Sequence, residues 1–378
     1  MRLSGFRWRR AARYGAAYLA AAIVAGALFV WSGLYNVAAS SDHWEITNWL
    51  LERVRVESVD TWSNFVGEPP PLDNPALVSV GAAHFEGGCT PCHSRPGSPA
   101  NAIAASMLPV PPPLTPSVQE TGTKELFWIV KHGLKFTAMP AWPSQPRDDE
   151  VWAVTAFLLS LPDLSSREYR ELSGVARGGE QQETSAELAR SSEAVALTEC
   201  VRCHGDASMP PLSAFIPLLN GQSQAYLERS LAEYAATIRP SGIMQPVASL
   251  LTPTERRRLA AWYAGLEPPR VPPGDGAEDV ARGRQLAHEG DPENGIPPCL
   301  ACHSAHHPGS FPSLAGQNST YLAQQLNLFR NGIRDQTVYG QIMAAIASRL
   351  TKEQVESVAL YFASLPPMKA PDGAEPVR

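Results

Sequence analysis

The chain has 378 residues, among them 35 prolines and 28 glycines, with 44% hydrophobic residues and a formal charge of −6. That length gives room for two or three domains and linkers, and the hydrophobic share excludes a chain that is disordered throughout. The acidic balance excludes a general nucleic-acid binder.

Arg2, Arg7, Arg9, Arg10 and Arg13 precede every acidic residue. Setting those five aside leaves 26 Lys and Arg against 37 Asp and Glu, a net of −11, so a docking partner is expected to present basic groups. From Tyr14 to Ser41 no residue is charged, and the run from Ala16 to Leu34 is almost unbroken in its apolar character. A membrane-spanning helix takes about 20 such residues, which this run approaches. The arginines before it, and Asp42 and Glu45 after it, orient its N-terminus to the cytoplasm, with Trp31 and Tyr35 at the outer interface. The competing reading is a signal peptide cut near Val37-Ala38-Ala39, although its apolar region would exceed the usual length of about 7 to 15 residues. Residues 1–41 are therefore read as a basic end and transmembrane anchor in a bacterial inner membrane, with the remainder in the periplasm.

Residues 42–73 form a stem. Trp44, Trp49, Leu50, Val54 and Val56 recur among charges at roughly helical spacing, as in an amphipathic helix lying on the membrane or on the unit that follows. His43 reads as an exposed polar residue, and the prolines at 69–71 are expected to end the helix.

The first unit spans 74–162. A helical stretch with Val80, Gly81 and Phe85 leads into Cys89-Thr90-Pro91-Cys92-His93, and a proline-rich loop follows at 108–116. An apolar helix, ELFWIV, then leads to His132, Gly133 and Lys135 and on to Met139-Pro140-Ala141-Trp142. With Asp148 or Asp149 as N-cap, Val151, Val154, Leu158 and Leu161 recur at helical spacing, and Pro162 stops the helix. Residues 163–190 have few large apolar groups and read as a linker. The second unit spans 191–269 and contains Cys200-Val201-Arg202-Cys203-His204. A proline-stiffened hinge, 270–277, joins it to the third unit, 278–367, which contains Cys299-Leu300-Ala301-Cys302-His303. Residues 368–378 are a solvated tail.

All six cysteines thus fall in three copies of C-x-x-C-H. This is the attachment signature of a c-type haem: two sulfurs on one turn reach the two vinyl groups, and the His that follows lies under the iron. Two C-x-x-C pairs would make a zinc site, but three pairs cannot be shared out evenly and each His would go unused. A thioredoxin-like pair would follow a strand in a βαβ pattern, which is not visible here. The residues call for three covalently bound haem c groups on Cys89, Cys92, Cys200, Cys203, Cys299 and Cys302, with His93, His204 and His303 as axial ligands.

The second and third units repeat beyond the motif. Asn220 to Leu227 matches Ala315 to Leu322, Leu251-Thr252 matches Leu350-Thr351, and Ala264 with Leu266 matches Ala363 with Leu365, as in a duplication. Spacing also selects the opposite axial ligands. Met244 follows His204 at the same interval as Met343 follows His303, and Met139 follows His93 at a slightly longer one. Each is followed, at one interval common to all three units, by a Leu (Leu161, Leu266, Leu365) that closes the last helix of its unit. Thr252-x-x-Glu255 and Thr351-x-x-Gln354 are capping boxes that start that helix. All three Met residues are therefore expected in a loop before it, as soft thioether ligands to iron rather than core filler. Met107 and Met209 lack this spacing. His84, His132, His288, His306 and His307 occupy no shared position and read as surface or supporting residues. A basic residue precedes each Met (Lys135, Arg239, Arg334), suited to a haem propionate or equally to a solvated surface.

These features resemble class I c-type cytochromes. The second and third units resemble the halves of soluble di-haem cytochromes that carry electrons to terminal oxidases, through FPSLAGQNSTYLAQQL, FRNGIR and MAAIASRLT. The first is similar to single-haem class I domains with a KHG-x-K-x-x-x-MPAW stretch. The resemblance covers residues 74–367 and implies a mostly α fold: three cytochrome c-like domains in tandem behind the transmembrane helix. It also implies a Gly and an aromatic packing each unit's first helix on its last, which Gly81 and Phe85 satisfy, Gly283 satisfies in part, and the second unit lacks. The expected work is outer-sphere electron transfer between a quinol-oxidising complex or dehydrogenase and a terminal oxidase, by a carrier rather than an enzyme. Two alternatives are the cytochrome subunit of a membrane-bound alcohol or sugar-acid dehydrogenase, and a peroxidase with one five-coordinate iron.

Overall fold

The computed structural model describes residues 4–178, 192–269, 277–304, 309 and 311–368. Most of the expected hinge, the end of the expected linker, His306, His307 and the tail beyond Met368 lie outside these residues. Within them regular structure is helical, with one isolated bridge between Asp291 and Ile296 and no strand.

The first helix, Ser4–Ser32, starts well ahead of the apolar run, so Arg7, Arg9, Arg10 and Arg13 ride on its opening turns. From Trp8 to Ser32 it is long and apolar enough to cross a membrane, and none of that stretch is buried by the rest of the chain. Gly33, at φ +68°, ends it. Tyr35 then packs edge-on to Trp44 at 5.1 Å and shares a 2.5 Å hydrogen bond with Nδ1 of the exposed His43. The stem helix Glu45–Ser63 buries Val59 and Ser63 and lies along the helix Thr123–His132, while Trp49, Leu50 and Val54 stay exposed. It stops before the prolines at 69–71. Ser63 and Asn64 both donate to the Asp60 carbonyl, so side chains end the helix rather than proline.

In the first unit Asn74 caps the helix Pro75–Gly88 by accepting from Ala76 N, with Pro75 at the first position, where its missing N–H costs nothing. That helix packs on Asp148–Ser160. At Gly81 a Cβ would overlap the Ala153 carbonyl, so glycine is what lets the two backbones approach. Phe85, Phe157, Val151, Val154 and Tyr169 fill the contact. The N-cap of the second helix is Arg147, not Asp148 or Asp149. Those carboxylates sit in the first turn, Asp148 paired with Lys131 and Asp149 with Arg147, where they also suit the helix dipole. The segment read as linker from residue 163 is partly folded. Ser165 and Glu168 form a capping box for Ser166–Leu172, and the buried Tyr169 donates to Glu86 at 2.6 Å.

The third unit repeats this scheme with helices Ala277–Glu289 and Lys352–Ser364, where Gly283 meets the Ser357 backbone. The second unit lacks the glycine. Its first helix, Ser192–His204, rests on the turn Val175–Gly178, and only a small apolar cluster of Leu227, Ala260 and Tyr263 forms on Gln224–Ala235 and Pro253–Gly265. Both capping boxes, Thr252 with Glu255 and Thr351 with Gln354, are present.

The duplicated units face one another through equivalent atoms. Gln222 Nε2 donates to the Ser313 carbonyl at 2.7 Å while Ser313 N donates to Gln222 Oε1 at 3.0 Å. Gln317 does the same to Leu218, at 3.0 and 2.9 Å. Leu218 and Ser313 are separated along the chain by the same interval as Gln222 and Gln317, so the contact is an approximate two-fold within one chain. Both amides are buried and stand in for a backbone partner. Gln222→Ala or Gln317→Ala is expected to strand a buried N–H and C=O pair, at roughly 1–3 kcal/mol each; chemical denaturation should show a lowered midpoint for either, and an unchanged one would refute the contact. Gly81→Ala should cost about as much by overpacking, roughly 1–3 kcal/mol, in the same measurement.

Candidate functional site

The three motifs each form a helical turn, α-helical in the first two and 3-10 in the third. The first is a helical turn, Thr90–His93, continuing from Pro75–Gly88, with Cys89 N donating to Phe85 O and His93 N to Cys89 O, both at 2.9 Å. The second is the last turn of Ser192–His204. The third is a tight turn, Cys299–Ala301, with His303 N donating to Cys299 O at 3.0 Å. Each places two sulfurs and an imidazole on one turn, as covalent attachment requires.

All six cysteines are half-buried. Burial pushes Cys89 and Cys200 up to about 12 and Cys299 up to about 11. Among the described residues no three His, Cys, Asp or Glu side chains converge as around a zinc ion.

Each histidine faces a proline carbonyl. His204 Nδ1–H donates to Pro217 O and His303 Nδ1–H to Pro312 O, both at 3.0 Å. The Pro112 carbonyl stands beside His93, whose buried Nδ1 falls short of a full hydrogen bond. A carbonyl can only accept, so it fixes the proton on Nδ1 and leaves the Nε2 lone pair free. Burial lowers all three histidines below their usual range, with the proline carbonyls opposing, which keeps the rings neutral as a metal requires. His303 Nε2 is buried with no hydrogen-bond partner. An orphaned imidazole nitrogen beside two thiols fits an iron–porphyrin. Sequence reasoning missed these prolines, although Pro217 and Pro312 occupy equivalent places in the duplication and precede the matching Gly-Gln pairs.

The three methionines do not share a backbone setting. Met139 lies in an irregular loop, its carbonyl accepting from Leu134 N at 3.2 Å. Met244, also expected in a loop, is the first residue of a short helix, Met244–Ser249. Met343 lies inside the helix Val338–Ala347, corrected from the expected loop: Thr337 caps this alanine-rich apolar segment, and helix is its favoured state. All three are half-buried.

The basic residues also part company. Lys135 is exposed. Arg239 is buried, stacked at 4.4 Å on Tyr234, and Arg334 lies 4.5 Å over Phe329 and donates to Gln325 Oε1 at 2.5 Å. Burial works against the Arg239 charge, while the phenols of Tyr234, Tyr226 and Tyr321 and the Glu233 carboxylate favour it. Burial opposes ionisation of Tyr226 at the same junction, yet Arg239 and Arg334 pull its phenol down to about 8. Two cations gathered at one junction suit an anionic group such as a propionate.

Of the other histidines, His132 is exposed and His288 Nε2 pairs with Tyr361 Oη at 3.0 Å. His84 is a junction residue: its ring lies 4.7 Å from Trp142, and burial, then Arg202, lower it to about 4.

A family model described as cytochrome c oxidase, cbb3-type, subunit III matches residues 76–158. A thiosulfate dehydrogenase electron acceptor from Stutzerimonas stutzeri (strain A1501) is 35% identical over 176 residues, 45% of this chain and 80% of that protein. A cytochrome c4 from Thiocapsa roseopersicina is 31% identical over 184 residues, 47% of this chain and 92% of that protein. Among solved structures, cytochrome c4 from Acidithiobacillus ferrooxidans aligns at 33% identity with a TM-score of 0.41, covering 44% of this chain and 98% of that one.

Proposed function

Because the chain belongs to the class I c-type cytochromes, electron-transfer proteins with covalently bound haem c, we propose that it holds three such groups and works as a membrane-anchored periplasmic carrier. The observation that carries the number is the threefold recurrence of one turn with two half-buried thiols and a histidine beside a proline carbonyl. Cys89 with Cys92, Cys200 with Cys203, and Cys299 with Cys302 make the thioether links. His93, His204 and His303, together with Met139, Met244 and Met343, would ligate the irons. When bound, each haem supplies one-electron transfer at its iron. A histidine and a methionine at each iron would leave no position for a substrate, which favours a carrier over a peroxidase. Arg239 and Arg334 hold propionates at the junction of the second and third units. The helix Ser4–Ser32 supports the anchor by its length and apolarity.

Electrons enter from a quinol-oxidising complex or a dehydrogenase and leave to a terminal oxidase. A second reading, the cytochrome subunit of a membrane dehydrogenase, draws support from the relative named as a dehydrogenase electron acceptor. Purification from mild detergent separates them: a flavin- or quinone-bearing large subunit that stays bound supports the subunit reading, and its absence the free carrier.

Replacing Met139, Met244 or Met343 by Ala should each remove about one third of the methionine-to-iron charge-transfer absorption; a variant that keeps it all would exclude that residue as a ligand. Arg239→Gln and Arg334→Gln should each lower the potential of a haem, because a nearby cation disfavours the ferric charge. Spectroelectrochemical titration should show Lys135→Gln unchanged.

A further inference from the structure

The first unit meets the second through a buried polar cluster at the start of the helix Asp148–Ser160. Arg147 pairs with the Asp149 carboxylate at 2.8 Å, with Glu150 Oε1 at 2.9 Å, and donates to the Pro240 carbonyl at 2.8 Å. Glu150 Oε1 accepts from Ser241 Oγ at 2.6 Å, and its Oε2 accepts from Gly242 N at 2.5 Å and from Trp142 Nε1 at 3.3 Å. Ser241 Oγ in turn accepts from Met244 N at 3.0 Å and Ile243 N at 3.3 Å. Gly242 lies against the Trp142 indole so closely that a Cβ would overlap it, and Ile243 packs on the first unit's core. The loop that leads into Met244 is therefore shaped by groups of another unit. Arg147, Glu150, Ser241 and Trp142 are all buried, so water does not compete for these bonds.

On the reading above, in which Met244 is an axial ligand, we infer that Glu150 is a positioning residue for it: acting through Ser241 and Gly242, the first unit fixes the methionine loop of the second. A carboxylate suits this place because it offers only acceptors, and three donors converge on it. The third unit secures the same cluster from outside, with Gln324 Nε2 donating to Asp149 Oδ2 at 2.7 Å.

The test uses the full haem-loaded chain in detergent, with haem content confirmed for each variant. Glu150→Gln keeps the volume but turns one acceptor into a donor, and Ser241→Ala removes the acceptor for Met244 N. Each should weaken the methionine-to-iron band by up to the share lost in Met244→Leu. Each should also let imidazole bind one haem at concentrations that leave the unsubstituted protein unchanged. Added to Met244→Leu, neither should reduce the band further. Gln324→Ala, at the same junction but away from the loop, should leave the band whole. The inference is overturned if Glu150→Gln and Ser241→Ala keep the full band while Met244→Leu loses its share, if the double variants lose a second share, or if Gln324→Ala does as much. A full band in Met244→Leu would instead overturn the ligand assignment itself.

Discussion

A histidine that gives its Nδ1 proton to a carbonyl has only Nε2 left to offer. That constraint recurs behind His204 and His303, with Pro112 beside His93 in the corresponding place. It selects the tautomer, holds the ring, and leaves free the Nε2 lone pair of a histidine that follows two cysteines on the same turn. Burial adds the second condition by keeping the imidazoles neutral. The surrounding packing serves this arrangement. Gly81 and Gly283 bring the helix that carries or precedes the motif onto the last helix of its unit, so the motif turn has a rigid base.

The contacts between units are polar, buried and specific. The paired glutamines at the second and third units satisfy backbone groups that would otherwise need water. The cluster of Arg147, Asp149 and Glu150 takes charge out of solvent, and removing one member of such a set costs about 3–5 kcal/mol because the remaining charge is stranded. Apolar residues would hold the surfaces together as well, but they would tolerate sliding. Directional bonds set the register of one unit on the next, and register decides whether groups buried in neighbouring units come close enough to exchange electrons.

Much of this is legible in the sequence. The three motifs, the capping boxes at Thr252 and Thr351, the close approach at Gly81 and the apolar first helix each depend on residues near in sequence, where spacing and chemistry suffice. The prolines behind the histidines are visible as letters, but their role needs the loop to fold back on the motif, and the interval from His93 to Pro112, His204 to Pro217 and His303 to Pro312 differs in each unit. Met343 departs from the expected loop because a shared spacing does not impose a shared conformation, and the local alanine-rich sequence favours helix. Tyr169 lies in the segment read as a linker, and Glu150 in the first turn of its helix. Their partners, Glu86 and Ser241, lie 83 and 91 positions away, and no periodicity encodes such pairs.

On this reading every cysteine pair holds one porphyrin. Intact mass spectrometry of the native polypeptide, followed by peptide mapping, tests it most directly. Three haem adducts, one each on Cys89 with Cys92, Cys200 with Cys203, and Cys299 with Cys302, are the expected result. A mass with fewer adducts, or any of these thiols still open to alkylation in the unfolded chain, would contradict it.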